Sequence, residues 1–466
     1  MNHVSREEPP QPAALFAELS ALFPRERVLL DRAAITAWAA TTHPLAVEPV
    51  ALVAPTTGPE TRLAVLAARR AGVPVVAISR GRNVGLGARI PPLAAGAPLL
   101  IDLHLQQSIR LIDERFGTAV LEPGVTFEQL HAELRRRNSR WFLPVTGGPP
   151  DGSVLGNLLE RGDGTGPHGD RARAFLDLEA VLPTGEVITT GRDLAGPDIS
   201  GLFFQSGVGI VTAVSLSLAP LPRVMRPFMM QLRPGAALAA LVDAARICTQ
   251  DGILMPGAIC IWNGTKRAIR DGGAGAPDAW VISGALHAAS RRRVEADWAD
   301  LMDAFGRAGT AVDITHEAIV DAPRGNGLLE GEPNDANLVS IVSGLRDGKG
   351  TPGFAWLCPV IPFDGAAAER AMQIVTDELQ RAELQPNLAL GCRDARTIRG
   401  YVALAWDRDD QEAEHRALQA HDRLLAQLAA AGFPPFRLGQ LSRDWKAPAR
   451  DDTRHVTQRI LAALGG

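Results

Sequence analysis

Two residue types are scarce in this chain of 466 residues, and their scarcity limits its chemistry. Tyr401 is the one tyrosine, beside eight tryptophans and 14 phenylalanines, and the lysines are Lys266, Lys349 and Lys446. The codon usage of a GC-rich genome, which replaces lysine by arginine and contains few tyrosine codons, explains both deficits. Whatever the cause, no more than one phenol side chain can take part in chemistry here.

Long hydrophobic runs and an excess of one charge are absent as well. No apolar stretch reaches the roughly 20 residues that span a bilayer. The polar start MNHVSREEPPQP lacks the basic, apolar and cleavage regions of a secretory signal. We therefore expect a cytoplasmic protein without a membrane partner. The balance of 48 basic and 52 acidic residues provides no field for holding a phosphate backbone, so we expect no nucleic-acid partner.

Metal and disulfide patterns are also missing. The four cysteines lie far apart with no Cys-x-x-Cys pair, which suggests neither a disulfide scaffold nor a zinc site. The ten histidines include no His-Glu-x-x-His, and the closest pair, His415 and His421, is six residues apart. We expect no bound metal. The rest of the composition, 46% hydrophobic and 21% charged, is that of a globular protein with a sizeable core.

The order of predicted elements indicates an α/β region followed by an α+β region, within a length that allows about two or three domains. PVALVAP, the helical PETRLAVLAARRAG and VPVVAIS form a strand–helix–strand unit with an expected parallel strand pair. Thr126 to Gln129 fit a capping box at a helix start. Residues 144–170 are rich in glycine and proline and predict a long functional loop. From about Val224, longer helices alternate with apolar strands, and the sequence from Pro434 is polar again.

Common nucleotide and hydrolase motifs are absent or lie in the wrong context. Gly164-x-Gly166-x-x-Gly169 has the spacing of the dinucleotide fingerprint, but loop-like sequence surrounds it and Pro167 falls inside it. Neither Gly-x-x-x-x-Gly-Lys-Ser/Thr nor Gly-x-Ser-x-Gly occurs. A P-loop NTPase and a serine hydrolase therefore have no support.

Two glycine-rich loops remain as candidate binding elements. In RGRNVGLG, residues 80–87, successive backbone N–H groups can form a nest for an anion such as a pyrophosphate, or the loop is a plain turn. In GSVLGN, residues 152–157, the backbone can approach a flat ring or a ribose, or the segment is a surface Ω-loop. The order of the two loops and their flanking sequence decides between these interpretations.

The segments SRGRNVGLG, LEPGV, GSVLGNLLERGDG and FFQSGVGIVTAV follow one another between about Val50 and Pro220. This series resembles the FAD-binding domain of the vanillyl alcohol oxidase/p-cresol methylhydroxylase (PCMH) flavoprotein family, most closely its 4-phenol-oxidising branch. GEPNDANL, CPVIPFDG and FPPFR extend the resemblance more thinly through the second half of the chain.

The resemblance implies an α+β fold. It consists of a PCMH-type FAD-binding domain of two α/β subdomains, and an α+β cap whose antiparallel sheet is flanked by helices. We expect the FAD-binding domain at residues 1–222, the substrate-binding cap at 223–433 and a C-terminal return to the FAD domain at 434–466. The resemblance further implies hydride transfer from a small organic substrate to flavin N5, O₂ or a redox-carrier protein as electron acceptor, and a homodimer.

The implied cofactor site follows the same series. Backbone amides of residues 80–83 surround the FAD pyrophosphate, the second loop lines the isoalloxazine, ribose and pyrophosphate, and residues 209–211 meet the adenosine part. The predicted cofactor-binding residues are Ser79, Arg80, Gly81, Arg82, Asn83, Leu86, Gly148, Gly152, Ser153, Gly156, Asn157, Glu160, Gly162, Gly209, Ile210 and Val211.

The chain also departs from the phenol-oxidising pattern. Leu86 and Phe436 stand where relatives hold a phenolate with two tyrosines, whereas the accompanying arginine is retained as Arg437. We therefore predict a substrate that is not a simple 4-alkylphenol, in a more apolar pocket that includes Phe436 and Tyr401. The carboxylate that relatives place beside flavin N5 matches Gly148, and the family's closing Asp-Pro and Pro-Gly-Lys segment has no counterpart.

Three side chains are predicted to be catalytic, and each also has an alternative structural role. Arg437 would stabilise negative charge on substrate or flavin, or is a surface arginine. Asp151 would replace the missing carboxylate, or caps a turn. His168 would accept a proton, or hydrogen-bonds the backbone. Arg393 and Asp394 match a family pair of arginine and acid near the flavin, for which structural ion pairing is expected.

No histidine occurs between His316 and His415, where the covalent flavin link of relatives would fall, so FAD is predicted to bind non-covalently. The first functional hypothesis is an FAD-dependent oxidase or dehydrogenase. The alternative is a catalytically altered flavin-binding protein or subunit, which the missing carboxylate and closing segment favour. A redox-neutral flavoenzyme would differ from the first only in needing no net electron acceptor.

Overall fold

The computed structural model describes residues 13–44, 47–89, 96–145, 147–271, 279–324, 327–336, 338–339, 351–442, 445 and 452–464. Within these residues the chain forms a four-stranded sheet, a five-stranded sheet, a two-stranded ribbon and a nine-stranded sheet. The same ranges contain no helix that is both long and apolar enough to cross a membrane.

The first sheet has the strand order β1-β2-β4-β3. Its strands are β1 (Val28–Leu29), β2 (Ala51–Val53), β3 (Val75–Ile78) and β4 (Leu99–Asp102), accompanied by α1 (Ala13–Leu22), α2 (Arg32–Ala39) and α3 (Gly58–Arg70). The predicted strand–helix–strand unit is present, and β2 and β3 are both parallel to β4. The two strands do not pair with each other, because β4, all of whose residues are buried, takes the central position between them.

The second sheet is antiparallel, with the order β5-β6-β10-β8-β9. Its strands are β5 (Ile109–Asp113), β6 (Thr118–Leu121), β8 (Phe175–Val181), β9 (Val187–Gly191) and β10 (Ile210–Ser217). Between β6 and β8 lie α4 (Phe127–Arg136), β7 (Trp141–Phe142), α5 (Val154–Leu159) and α6 (Arg171–Ala174), and β7 pairs with β11 (Ala219–Pro220). The capping box at α4 is confirmed, since Thr126 and Gln129 each accept the other's backbone N–H.

Helix α5 corrects the prediction that residues 144–170 form one irregular loop. Ser153 begins this helix by accepting a hydrogen bond from the Gly156 backbone N–H at 2.8 Å. Val154, Leu155 and Leu158 are buried in the core of the second sheet. One short apolar stretch inside the glycine-rich segment is therefore enough to anchor the loop against the sheet.

The third sheet, which we call the cap sheet, has the order β15-β12-β14-β13-β19-β20-β17, with β16 beside β12 and β18 beside β20. Its strands are β12 (Val224–Leu232), β13 (Ile259–Asn263), β14 (Trp280–Ala288), β15 (Val312–Glu317), β16 (Val320–Asp321), β17 (Pro352–Leu357), β18 (Val360–Pro362), β19 (Asn387–Cys392) and β20 (Thr397–Asp407). The accompanying helices are α7 (Leu238–Gln250), α8 (Gly264–Asp271), α9 (Arg291–Arg307), α10 (Gly365–Arg381) and α11 (Gln411–Ala430). A large apolar core forms where α7, α9, α10 and α11 cover one face, which confirms the α+β class.

The chain after α11 contacts both halves of the molecule. The Pro434 carbonyl accepts a hydrogen bond from the Val360 N–H at 2.8 Å, and Leu438 exchanges hydrogen bonds with the Gln205 side chain. In helix α12 (Asp452–Ala463), Ile460 and Leu461 pack against the core of the second sheet. These contacts support the division at residues 222 and 433, which we keep as a proposal.

Candidate functional site

A cavity of about 1230 Å³ lies between the glycine-rich loops of the first half and the uncovered face of the cap sheet. Ordinary small-molecule pockets measure about 300–1,000 Å³, so this cavity has room for a dinucleotide together with a small substrate. The segments that line it include residues 79–88, 147–149, 152–153, 155–157, 205–207, 209–211, 259–260 and 328–329. One continuous space therefore joins both glycine loops to the cap.

Nearly all predicted cofactor residues line this cavity. They are Ser79, Arg80, Gly81, Arg82, Asn83, Leu86, Gly148, Gly152, Ser153, Gly156, Asn157, Glu160, Gly209, Ile210 and Val211. Gly162 lies behind the wall, where a β-carbon would come within 2.0 Å of the Asn157 amide nitrogen. Its role is therefore to leave room for Asn157.

The two glycine loops meet at close range. A β-carbon on Gly156 would lie 2.2 Å from Ser79 Oγ, and one on Gly85 would lie 2.3 Å from Cδ1 of Trp356 in the cap. Gly81 and Gly87 have φ values of 62° and 96°, which glycine adopts without strain. The glycines thus allow main-chain groups of both loops to form the cavity wall.

The cap contributes side chains that alternate along its strands, because successive residues of a strand point to opposite faces. Met229, Ser283 and Cys260 lie opposite one another on β12, β14 and β13. Trp262 on β13 lies opposite Ala389 of β19, which in turn lies opposite Tyr401 of β20. These residues line the cavity and form a mainly apolar ceiling over the glycine loops.

Four charged or phenolic side chains form a buried cluster at one end of this ceiling. Asp163, 4% exposed, accepts a hydrogen bond from the Tyr401 hydroxyl and one from Arg399 Nη1 at 2.5 Å. Arg393 Nε lies 3.6 Å from the Asp163 carboxylate and 3.3 Å from the Tyr401 oxygen. Arg393 Nη1 also donates to the Gly164 carbonyl at 2.7 Å. We call these residues, Asp163, Arg393, Arg399 and Tyr401, the Asp163 cluster.

The charges of the Asp163 cluster are fixed near neutral pH. Burial raises the pKa of Asp163, but Arg393 and Arg399 outweigh burial and hold this pKa below its ordinary value. Burial, together with the neighbouring Asp163, raises the pKa of Tyr401 far above the ordinary value for a phenol. Asp163 is therefore ionised, and the single tyrosine of the chain is neutral with its only proton donated to Asp163.

Arg437 lines the cavity beside this cluster, whereas Phe436 lies behind the wall. The Phe436 ring packs edge-on against Tyr401 at 6.3 Å and under the Arg399 guanidinium at 4.3 Å. Arg437 Nε is buried and has no hydrogen-bond partner among the described residues. Phe436 supports the site from behind, and Arg437 presents a permanent positive charge at the cavity.

Two predicted catalytic residues do not face the cavity. The Asp151 carboxylate accepts a hydrogen bond from Arg82 Nε at 2.6 Å, and Asp151 is not among the residues that line the cavity. His168 is exposed, hydrogen-bonds the Ser217 hydroxyl at 3.2 Å and has a positive φ of 58°. Both side chains are committed to local structure, so we withdraw them as candidates for chemistry.

Arg393 and Asp394, which were expected to act as a pair, each bind a different partner. Asp394 accepts a hydrogen bond from Arg173 at 2.9 Å, and Arg393 turns inward to Asp163. Adjacent residues at a strand end point in opposite directions, which explains why one faces solvent and the other the cavity.

Sequence reasoning missed Asp163 and Lys266 at this site. Asp163 follows the Glu-Arg-Gly of the second loop, and its acidic side chain inside a glycine-rich segment was the available signal. Lys266 lines the cavity near the start of α8, and its backbone N–H donates to the buried Asn263 at 3.1 Å. The scarcity of lysine in the chain was the signal for Lys266.

Comparisons with known proteins agree with this geometry. Residues 49–191 match a family described as an FAD binding domain. The chain is 30% identical to 1'-carboxy-chondrochloren decarboxylase of Chondromyces crocatus over 93% of this chain and 90% of that protein. It is 24% identical to the flavoprotein subunit of the hydroxylating 4-cresol dehydrogenase of Pseudomonas putida, over 84% of this chain and 81% of that subunit. A crystal structure of p-cresol methylhydroxylase with bound substrate superposes with a TM-score of 0.86 at 22% identity, covering 98% of this chain and 95% of the other.

Proposed function

Because the chain belongs to the vanillyl alcohol oxidase/p-cresol methylhydroxylase family of FAD-dependent oxidoreductases, we propose that it takes a hydride from a small organic substrate held under the cap. The family, the enzyme class and the FAD cofactor agree with the sequence predictions, and the alternative of a catalytically altered binding protein is not favoured. The observation that carries the proposal is the single cavity that both glycine loops share with Arg393, Tyr401 and Arg437.

The residues present fit FAD. The close approach of Gly156 to Ser79 leaves main-chain groups of both loops open to the cavity, as a pyrophosphate and a flat ring require. We assign residues 80–83 to the pyrophosphate, Ser153, Asn157 and Glu160 to the flavin side, and residues 209–211 to the adenosine side. When bound, FAD supplies the hydride acceptor, flavin N5, and the protein supplies orientation and charge.

Arg437 is the proposed catalytic residue. Its guanidinium stays protonated, lines the cavity and keeps a buried Nε without a hydrogen-bond partner among the described residues. A fixed cation at the cavity would stabilise the negative charge that the departing hydride brings to the flavin. Arg393, held by the Gly164 carbonyl and Asp163, adds positive charge to the same wall.

The proposed substrate is not a simple 4-alkylphenol. Leu86 and Phe436 carry no hydroxyl group, and the Tyr401 hydroxyl donates its proton to Asp163. None of these three residues can therefore donate a hydrogen bond to a phenolate oxygen. The ceiling of Met229 and Trp262 favours a substrate with a substantial apolar part.

A substrate that carries a carboxylate and loses it as CO₂ is a second candidate. The 30% identity to 1'-carboxy-chondrochloren decarboxylase favours it, as do the cations Arg393, Arg437 and Lys266 on the cavity wall. In an oxidative reaction the bond to the carboxylate carbon breaks, its electron pair forms a double bond, and a hydride leaves the neighbouring carbon. In a redox-neutral reaction a proton takes the place of the carboxylate.

One experiment separates these candidates. FAD-loaded protein is mixed under nitrogen with alcohols, amines, 4-alkylphenols and arylalkanoic acids, while visible flavin absorbance and released CO₂ are measured together. Bleaching without CO₂ supports the first proposal, one CO₂ per bleached flavin supports oxidative decarboxylation, and CO₂ without bleaching supports the redox-neutral reaction. A 4-alkylphenol that bleaches the flavin fastest contradicts the proposed substrate class, and a protein that stays colourless with FAD contradicts the function itself.

We also propose that FAD binds non-covalently. The nucleophilic side chains on the cavity wall include Cys260, Tyr401 and His316. Burial raises the pKa of both Cys260 and Tyr401, which keeps these two groups protonated and unreactive. His316 is exposed on the edge strand β15. Acid precipitation is expected to leave all flavin in the supernatant, whereas a yellow pellet would contradict the proposal, and His316→Ala would then test the histidine.

The remaining parts of the proposal rest on family resemblance. We propose O₂ or a redox-carrier protein as the electron acceptor and a homodimeric, cytoplasmic enzyme. Mixing the reduced protein with oxygenated buffer separates the two acceptors, because an oxidase regains its colour within seconds and a dehydrogenase needs the carrier.

A further inference from the structure

Asp163 joins the two halves of the molecule at the cavity. It lies in the second glycine loop, and its hydrogen-bonding and ion-pair partners among the described residues, Arg393, Arg399 and Tyr401, all belong to the end of β19 and to β20 of the cap. Asp163 also lines the cavity. One buried anion therefore connects the second glycine loop to the cap and also borders the cavity.

The charges around Asp163 do not cancel. Arg393, Arg399 and Arg437 all act on the Asp163 carboxylate, and the second acid of the group, Asp170, pairs with Arg399 at 2.9 Å from outside the cavity wall. The fully buried Arg171 also interacts with both carboxylates. Arginines therefore outnumber the two carboxylates, of which only Asp163 lines the cavity. Since charges in a buried, low-dielectric site interact strongly, the single charge of Asp163 changes the potential throughout this end of the cavity.

The geometry of the cluster also depends on Asp163. A carboxylate accepts several hydrogen bonds at once, which lets one residue orient both the Tyr401 hydroxyl and the Arg399 guanidinium. Arg393 is oriented on its other side by the Gly164 carbonyl, one residue along the same loop. Removing the charge while keeping the shape would leave these cations in place, with only Asp170, outside the cavity wall, to balance them.

We propose that Asp163 is a positioning residue that holds Arg393 and Tyr401 at the cavity wall, with Arg399 behind them, and sets how much positive charge the cap presents to the flavin and the substrate. The proposal rests on the placement of the flavin in this cavity. It goes beyond the proposed reaction, because it concerns the reduction potential and anion affinity of the site, whichever substrate the enzyme uses.

The experiment compares FAD-loaded wild type and Asp163→Asn by the flavin midpoint potential and by titration with benzoate, an anion, and benzamide, its neutral analogue. In Asp163→Asn the potential is expected to become more positive, because reduction adds negative charge beside arginines that have lost the carboxylate at the cavity wall. A tenfold change in the reduction equilibrium, the least we expect, corresponds to about 30 mV for a two-electron couple. Benzoate is expected to bind about tenfold more tightly, and benzamide with unchanged affinity.

Three further variants make the result specific. Asp163→Glu keeps the charge and is expected to keep the wild-type potential. Asp394→Asn removes a cap carboxylate that pairs with Arg173 outside the cavity, and is expected to shift neither measurement. Arg399→Met removes the cation that pairs with Asp163 and must shift the potential to a more negative value. This variant keeps the proposal testable if Asp163→Asn fails to fold.

A folded, flavin-loaded Asp163→Asn with wild-type potential and benzoate affinity would overturn the proposal, as would an equal shift in Asp394→Asn. Both measurements need no turnover. A protein that shows these shifts but is reduced by no substrate would therefore contradict the proposed reaction and leave the role of Asp163 standing.

Discussion

At the scale of single residues, the site is defined by what each polar side chain is already bound to. Tyr401 donates to Asp163, Asp151 pairs with Arg82, and His168 bonds Ser217, so none of the three is available to a substrate. A buried guanidinium nitrogen without a partner is costly unless a ligand satisfies it. Arg437 Nε is such an atom, which makes this residue the first target for mutation.

Replacing Arg437 is expected to slow flavin reduction by the best substrate. Arg437→Met removes the cation at the cavity and should lower the rate constant by about 10²- to 10³-fold, the usual effect of losing one charge-stabilising group. Arg437→Lys, which keeps the charge but loses the planar guanidinium, should fall between Met and wild type. Stopped-flow absorbance under nitrogen measures the rate.

The matched control for this prediction is Arg396→Met. Arg396 is exposed at the turn between β19 and β20 and does not line the cavity. Its replacement should leave the reduction rate within about a factor of two. Equal rates in wild type and Arg437→Met would show that the positive charge at this position takes no part in hydride transfer.

At the scale of elements, the first glycine loop fits under strand β17 of the cap because of Gly85. The loop closes with a short 3₁₀ turn, Val84–Leu86, and the rings of Phe354 and Trp356 pack edge to face at 4.9 Å beside it. A β-carbon on Gly85 would lie within 2.3–2.7 Å of both rings. Loop and strand can therefore approach only where the loop has no side chain.

Gly85→Ala is expected to push the loop away from β17. Overpacking of a closely packed contact costs about 1–3 kcal/mol, and the displaced loop lines the cofactor cavity, so FAD affinity should fall at least about tenfold. Fluorescence titration of the apoprotein with FAD measures the affinity. Gly201→Ala is the control, because a β-carbon there meets no atom within 4 Å, and equal loss of affinity in both variants would refute the steric explanation.

At the scale of the whole molecule, residues 41–43 connect the first half to the cap. Thr42 Oγ1 donates to the Val84 carbonyl of the glycine loop at 2.7 Å, and Arg408 donates to the Thr41 carbonyl at 3.0 Å. His43, 2% exposed, bonds the Phe354 carbonyl through Nε2 at 2.8 Å. Since a carbonyl only accepts, Nε2 carries the proton of a neutral imidazole.

His43 should make the fold sensitive to acid. Burial lowers the pKa of His43 from 6.5 to about 4, although the hydrogen bond to Phe354 opposes the shift. Below pH 6.5 the unfolded chain binds a proton at His43 that the folded protein does not, so stability is lost as the pH falls from 6.5 to 4. The full loss is about 3 kcal/mol for a shift of this size.

Urea unfolding at a series of pH values checks this expectation. His43→Gln replaces a buried, hydrogen-bonded imidazole, so it should be less stable than wild type at pH 7. Because glutamine cannot bind the proton, its stability should decline less steeply in acid. His415→Gln, at an exposed position on α11, should follow the wild-type curve. A His43→Gln curve parallel to wild type would mean that His43 does not titrate in this range.

Much of the fold, and the glycine loops that line the cavity, could be predicted from the sequence, because both depend on local features. The capping box at Thr126 needs only residues three apart, and the glycines of the two loops act through their own backbone freedom. The residues predicted to bind FAD line one cavity apart from Gly162, whose effect passes through Asn157. The strand–helix–strand unit could also be predicted from the sequence. The central position of β4 could not, because it depends on the burial of β4 in the assembled sheet.

The substrate end of the site was decided by tertiary structure alone. Asp163 meets Tyr401 across 238 residues of chain and Arg399 across 236, and no local pattern encodes a contact of that span. The sequence established that a single phenol exists. Only the packing of the cap over the glycine loops decided that its proton belongs to Asp163, because a buried carboxylate must collect donors from whichever strands come to lie against it.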